Sequence, residues 1–370
     1  MADVSLTVIG AGAVGLAVAE RLAASHPDLV LLERYERHGQ ETSSRNSEVV
    51  HAGFYYTPGS LKARLCVEGR ERLYARCAAR GIPCRRIGKI LVATSADDLP
   101  QLDVLAERAR ANGVALRRLE ASEVRDLEPA VNAAGGLESP SSGIVSAHGL
   151  MDDLLASARA RGVTFQARSA VVAAERRDAD YRLDVRGPDG LESFSSERVV
   201  NAAGLESDTV AALFGVDVDA AGYRLRWCVG RYFAVAPAKA GLLQRLVYPV
   251  PGPVSLGVHA VIGLDGRLRF GPDADYLPGR RLDYRVDESL RPAFGEAVRR
   301  IVPAIDDEDL TPDIAGIRAK LQGPGEPPRD FVIAEESARG LPGLVNLVGI
   351  DSPGLTSALA IAEEVARLLG

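Results

Sequence analysis

The chain has 370 residues, 46% hydrophobic and 25% charged, with a formal net charge of −6. That is long for a single hydrophobic core and implies two domains, while a modest acidic balance with no basic stretch argues against nucleic acid as a partner. Four cysteines (Cys66, Cys77, Cys84, Cys228) fall in no zinc spacing, so the sequence predicts no metal and free thiols in a reducing, cytoplasmic setting.

The N-terminal run "MADVSLTVIGAGAVGLAVAERLAA" lacks a basic n-region and is interrupted by glycines, so it reads as folded core rather than an export signal. No run reaches the roughly 18 apolar residues of a membrane span. Residues 5–10 predict a strand, 14–24 a helix and 28–34 a second apolar strand, which together make one βαβ unit. An amphipathic helix is expected over 61–80. "RIGKILVATS" (86–95) reads as a strand, 97–113 as a helix and 121–131 as a short capped helix. A helix starts near Gly149 and leads to "VTFQA"; the hairpin 181–195 turns at Pro188-Asp189-Gly190. "RVVNAAG" (198–204) is another apolar strand, residues 223–285 alternate as antiparallel strands do, and Asp265-Gly266 marks a hairpin turn. "LVNLVGIDSPG" (344–354) is a strand running into a Pro-Gly turn, and the helix 355–369 closes the chain. The α/β texture at 1–85, 145–215 and 330–370 is interrupted by 86–144 and 216–329, so the two domains are discontinuous.

Gly10-x-Gly12-x-x-Gly15 follows a strand and opens a helix. Gly10 allows the tight turn, Gly12 lets the backbone approach a pyrophosphate, and Gly15 lets helix and strand pack closely. Glu33 ends the second strand about twenty residues on, where an acid holds a ribose hydroxyl. The loop predicts a dinucleotide and does not by itself separate NAD from FAD.

Four stretches occur in a telling order: the N-terminal glycine loop, "ETSSRNSEVVHAG" (41–53), "VVNAAG" (199–204) and "GIDSPGLTSALAIAEEVA" (349–366). In that order the chain resembles D-amino-acid-oxidase-like flavoproteins over nearly its whole length. The similarity is sharpest to the L-2-hydroxyglutarate dehydrogenase branch, in residues 46–69, 248–272 and 313–321. The resemblance implies FAD, held in a Rossmann-like α/β domain with a parallel sheet. A second, α+β domain with a mainly antiparallel sheet would take the substrate. It places Glu33 and Arg34 at the ribose and Ser43, Ser44, Arg45, Asn46 and Ser47 beside the diphosphate and flavin. Val171 or Val172 would make backbone contacts on the adenine side, and Ala202, Ala203 and Gly204 would close over the diphosphate. Gly349, Pro353, Gly354, Leu355 and Thr356 would face the flavin N1/O2 edge, where the positive end of a helix dipole suits the charge left by reduction.

The chemistry rests on few residues. His51 lies in the stretch running under the flavin, and His259 sits in a strand-like apolar stretch of the substrate domain. Either imidazole could accept the proton when an alcohol is oxidised to a ketone, with a pH step near neutrality. Arg318 is an arginine among small apolar residues, suited to a substrate carboxylate, with Lys320 on the same face of an extended segment. Tyr55 and Tyr56 are candidates for a second carboxylate; Lys62 and Arg64 could help, but read first as a solvated helix face. Glu48 and Asp351 depart from the expected pattern and bring negative charge close to the pocket.

The expected reaction is oxidation of a small 2-hydroxy acid, L-2-hydroxyglutarate or a relative, to its keto acid with hydride passing to flavin N5. An amino-acid or amine oxidase, a glycerol-3-phosphate-type dehydrogenase and a non-redox nucleotide-binding protein are the alternatives. Oxygen, a quinone or a partner flavoprotein remain open as electron acceptor, and with a quinone goes peripheral contact at the inner face of a membrane.

Overall fold

The strand Val4–Ile9 delivers the chain through the Gly10 turn into the helix Ala13–Leu22. The computed structural model describes residues 2–251 and 257–370, so part of the family-like stretch 248–272 lies outside the described residues. Val4–Ile9 is central in a sheet ordered Thr164–Gln166, Val30–Leu32, Val4–Ile9, Gly190–Asn201, Leu341–Val348. All these pairings are parallel, and Val332–Glu336 adds an antiparallel edge. Register explains the apolar runs: Val8 lies opposite Leu31 on one side and Val200 on the other, and Val200 opposite Val345. All four are fully buried. Each contributes roughly 1.5–3 kcal/mol relative to exposure.

The hairpin Tyr181–Gly187 with Gly190–Asn201 forms as expected, closing at the Gly187–Gly190 pair. The helix Leu61–Arg80 also matches, because both ends are encoded. The Ser60 side chain accepts from the Ala63 N–H at 3.1 Å, and Gly81 adopts the left-handed cap at φ 66°. This helix crosses the C-terminal helix Gly354–Leu369 at Gly69, where a Cβ would stand 2.4 Å from the Thr356 carbonyl oxygen.

The second sheet runs Asp275–Tyr276, Arg226–Val235, Leu268–Gly271, His259–Ile262, Leu246–Pro249, Lys89–Ala93, Gly135–Ser139, Arg117–Glu120. Leu310–Lys320 pairs along Arg226–Val235 as well. The sheet is mainly antiparallel; the exception is Leu246–Pro249, which runs parallel to Lys89–Ala93. A small sheet of Val49–Val50, Gly143–Val145 and Cys84–Arg85 lies over one of its faces: Val49 and Ile144 pack with Tyr232, Tyr248 and Val261. The segment beginning at His51 is thereby carried across the antiparallel sheet.

Candidate active site

The first cleft opens at the C-terminal ends of the parallel strands, lined by Gly10, Gly12, Glu33, Ser43, Val171 and Gly204 among others. Arg34, Ala202 and Ala203 also line it, whereas Val172 does not. Gly10 takes φ 100°, and a Cβ there would stand 2.5 Å from the Ala202 carbonyl oxygen; at Gly15 it would meet the Gly10 carbonyl oxygen at 1.9 Å. Glu33 accepts the N–H groups of Ala11 (2.9 Å) and Tyr35 (3.0 Å). Burial nonetheless pushes its carboxyl above the usual range. The Ala13 N–H goes to Ser43 Oγ at 3.0 Å, while those of Gly12 and Val14 have no acceptor among the described residues. Gln40 Nε2 is likewise buried here without a partner.

The loop 42–48 links this cleft to the antiparallel sheet. Asn46 Nδ2 donates to the Ser43 and Thr42 carbonyls (2.8 and 3.2 Å), and its Oδ1 accepts from the Glu48 N–H. Ser44 Oγ donates to the Glu41 carbonyl, and the Arg45 guanidinium lies over the Tyr284 ring at 4.0 Å. Two contacts seat the loop on the strand Leu310–Lys320. Thr42 Oγ1 donates to the Ile317 carbonyl at 2.9 Å, and Gly316 lies so close that a Cβ would be 1.9 Å from the Arg45 carbonyl oxygen. Glu48 is turned away from the pocket: at φ 55° its Oε1 accepts the Ala147 N–H (2.8 Å) and caps the helix Ala147–Ala160.

One face of the antiparallel sheet gathers the reactive groups. His259 and Tyr248 stack at 3.7 Å with 23° between their rings, on neighbouring strands. His259 Nδ1 is 2.8 Å from the Gly257 carbonyl, which can only accept. That fixes the proton on Nδ1 and leaves the Nε2 lone pair available. Burial, with the charges of Lys89 and Arg318 adding to it, lowers the imidazole to about 3. His51 is pushed well below the usual histidine range, chiefly by burial, then by Lys89 and His259. Its backbone N–H donates to Thr356 Oγ1 (3.1 Å), its Nε2 is 3.3 Å from Ser352 Oγ, and its buried Nδ1 has no partner among the described residues. Arg318 donates through Nη2 to the Val229 and Asp273 carbonyls (3.0 and 2.6 Å). Among the described residues no carboxylate neutralises it.

The family model for the DAO group of FAD-dependent oxidoreductases matches residues 5–368. The chain belongs to this family. It is 39% identical, over 98% of its length and 83% of the relative's, to a protein named mitochondrial L-2-hydroxyglutarate dehydrogenase from Arabidopsis thaliana. A protein named L-2-hydroxyglutarate dehydrogenase from Escherichia coli K12 is 29% identical over 97% of this chain and 91% of its own. Among solved structures, the FAD-bound L-alpha-glycerophosphate oxidase from Mycoplasma pneumoniae superposes with a TM-score of 0.89 at 26% identity, covering 99% of this chain and 94% of that one.

FAD is the cofactor of this flavoenzyme, and the cleft fits it. The backbone of Gly12 is bare toward the cleft, two N–H groups at the helix start await an anion, and the orphaned Gln40 amide lies alongside. At the C-terminal turn the Gly354 N–H bonds the Asp351 carbonyl, while those of Leu355 and Thr356 have no protein acceptor among the described residues. Gly349 takes φ 69° at the start of this turn. No helix among the described residues is long and apolar enough to cross a membrane.

Several predicted residues have other partners. Lys320 and Lys62 both pair with Asp351, at 3.1 and 2.8 Å. Burial raises the Asp351 carboxyl, and the two ammonium groups override it and hold it below the usual range. Asp351 is therefore no threat to an anionic substrate, and the triad it forms with the two lysines keeps one positive charge. Arg64 pairs with Glu364 at the surface. Tyr55 turns a buried, unpartnered hydroxyl into the cluster. Tyr56 is pushed well above the usual phenol range, chiefly by burial, and Asp351 and Ser352 of the flavin turn are among the groups acting on it. Ser47 lies beside Tyr232. Lys89 escaped the sequence reading altogether. The signal was a charge at the head of "KILVA", a strand buried at every position.

Proposed function

We propose that this flavoenzyme oxidises a small 2-hydroxy dicarboxylate of the L-2-hydroxyglutarate type to its 2-keto acid. The observation that carries the reading is the pairing of an un-neutralised Arg318 with His259, whose Nε2 is left free to take a proton. When bound, FAD supplies the hydride acceptor. Arg318 holds the carboxylate next to the reacting carbon through Nη1, because its Nε and Nη2 donate to the Cys228, Val229 and Asp273 carbonyls. His259 Nε2 takes the hydroxyl proton, with His51 as the second imidazole beside it. Both are depressed in the ligand-free protein, chiefly by burial; Lys89 adds to it at both rings and Arg318 at His259, and an arriving dianion offsets that added part. Substrate binding thus raises the basicity of the group that must accept its proton. The domain division 1–85, 145–215 and 330–370 against 86–144 and 216–329 belongs to the same reading. So does a cytoplasmic location, peripheral to a membrane if the acceptor is a quinone; the four free cysteines suit a reducing compartment.

Anaerobic mixing with L-2-hydroxyglutarate, amino acids and glycerol 3-phosphate tests this directly. Only the hydroxy acid should bleach the flavin absorbance quickly; bleaching by an amino acid instead would move the protein to the amine-oxidising side of the family. Arg318→Ala should weaken binding of the hydroxy acid by roughly 2–5 kcal/mol and leave FAD content unchanged. Arg318→Lys should recover only part, since an ammonium cannot keep the carbonyl contacts that seat the guanidinium and reach the carboxylate as well. An unchanged substrate Kd in Arg318→Ala would remove it from the site.

A further inference from the structure

Lys89 is fully buried, and its Nζ makes no hydrogen bond or ion pair among the described residues. A buried ammonium without a counter-charge costs several kcal/mol. An anionic ligand arriving beside it would supply the missing charge. Its surroundings are specific. Nζ stands 3.7 Å from the centroid of the Tyr248 ring, and His259 stacks on the same ring at 3.7 Å. Two groups that close to one centroid cannot share a face, so Tyr248 is sandwiched between Lys89 and His259. The Tyr55 ring lies 5.5 Å from Nζ. The hydroxyls of Tyr55 and Tyr248 are both buried and have no partner among the described residues. Lys89 pairs with Leu246 and Val247 with Ala260, so Lys89, Tyr248 and His259 follow one another across the same sheet face. The Arg318 head reaches the Asp273 carbonyl, two residues beyond the Gly271 that pairs with His259. The two un-neutralised cations therefore bracket the stacked Tyr248–His259 pair.

We propose that Lys89, with the hydroxyls of Tyr55 and Tyr248, binds the distal carboxylate of the substrate and selects a dianionic 2-hydroxy acid over a monoanionic one. This rests on the 2-hydroxy-acid reading and adds the residue that reads the second charge. Lys62 and Arg64 are engaged with carboxylates of the chain itself, which leaves Lys89 as the available cation. Burial lowers the Lys89 ammonium to about 7. The titratable groups around it are Cys66 of the helix Leu61–Arg80, His51 and Tyr55 of the segment after Val49–Val50, and Tyr248 and His259 of the sheet. Dicarboxylate binding should therefore weaken as pH rises through about 7 and should take up a proton above it, and monocarboxylate binding should do neither.

The test uses FAD-loaded protein and two keto acids, 2-oxoglutarate and 2-oxopentanoate, titrated by flavin difference spectra and by calorimetry in buffers of different ionisation enthalpy. Wild type should prefer 2-oxoglutarate. Lys89→Met should lose about 30-fold or more of that preference, along with the pH dependence and the proton uptake. It should also be the more heat-stable ligand-free protein, because an uncompensated buried charge is gone. Tyr55→Phe and Tyr248→Phe, which keep shape and fold, should each lose part of the preference. The proposal is overturned if Lys89→Met keeps the wild-type preference, or loses affinity for both keto acids equally. If Lys89→Met does not fold, unchanged preference in both tyrosine variants overturns it. Failure of the 2-hydroxy-acid reading looks different: wild type then binds neither keto acid, and this proposal falls with it.

Discussion

His259→Ala should keep its full complement of FAD and reduce it about 10²–10⁴-fold more slowly than wild type when mixed with the hydroxy acid. The imidazole touches no part of the dinucleotide cleft, and its loss removes the free Nε2 while leaving the Arg318 contacts intact. His51→Ala should behave differently. Its backbone is bonded to Thr356 and its ring sits beside Ser352, both in the flavin turn, so the flavin spectrum or reduction potential should move together with the rate. The pH profile separates the groups further. A histidine lowered to about 3 is already neutral across the working range and gives no step near neutrality, contrary to the expectation from sequence. A near-neutral step is expected from Lys89 instead, as a fall in kcat/KM above pH about 7 when the ammonium is lost. That fall should persist in His259→Ala and vanish in Lys89→Met. Stopped-flow bleaching across pH decides it; wild-type rates in His259→Ala would place the base elsewhere, with His51 next.

Gly12→Leu should abolish FAD binding. Even a Cβ at this position stands 2.9 Å from Ser43 Oγ, and the larger side chain fills the space over the open N–H groups where the pyrophosphate must lie. The variant should purify colourless, and added FAD should no longer raise its Tm. Normal yellow protein from Gly12→Leu would mean that the loop does not hold the cofactor.

What could be read from the sequence was local chemistry. The glycine loop, the helix over 61–80 and the turn at 188–190 are written within a few residues of where they act, and all appear. Non-local pairings were out of reach. Nothing in "KILVA" says that it runs parallel to Leu246–Pro249, about 150 residues later, so the joining of Lys89 and Tyr248 could not be foreseen. Leu310–Lys320 was read as a motif around Arg318 and not as an 11-residue strand, because Pro312 and Gly316 interrupt its pattern. Gly316 is there for the close pass of the Arg45 backbone, a tertiary reason. The unexpected charges misled in the same way. Glu48 caps a helix about a hundred residues away, and Asp351 serves lysines from two distant segments.

The seat of the 42–48 loop on the strand carrying Arg318 has a thermodynamic consequence. On the proposed reading, cofactor and substrate lie on two sides of one backbone junction, where Gly316 leaves no slack and Thr42 is tied to Ile317. A junction this tight passes a shift imposed on one side to the other. Any coupling between the two sites is then reciprocal: the factor by which FAD changes substrate affinity is the factor by which substrate changes FAD affinity.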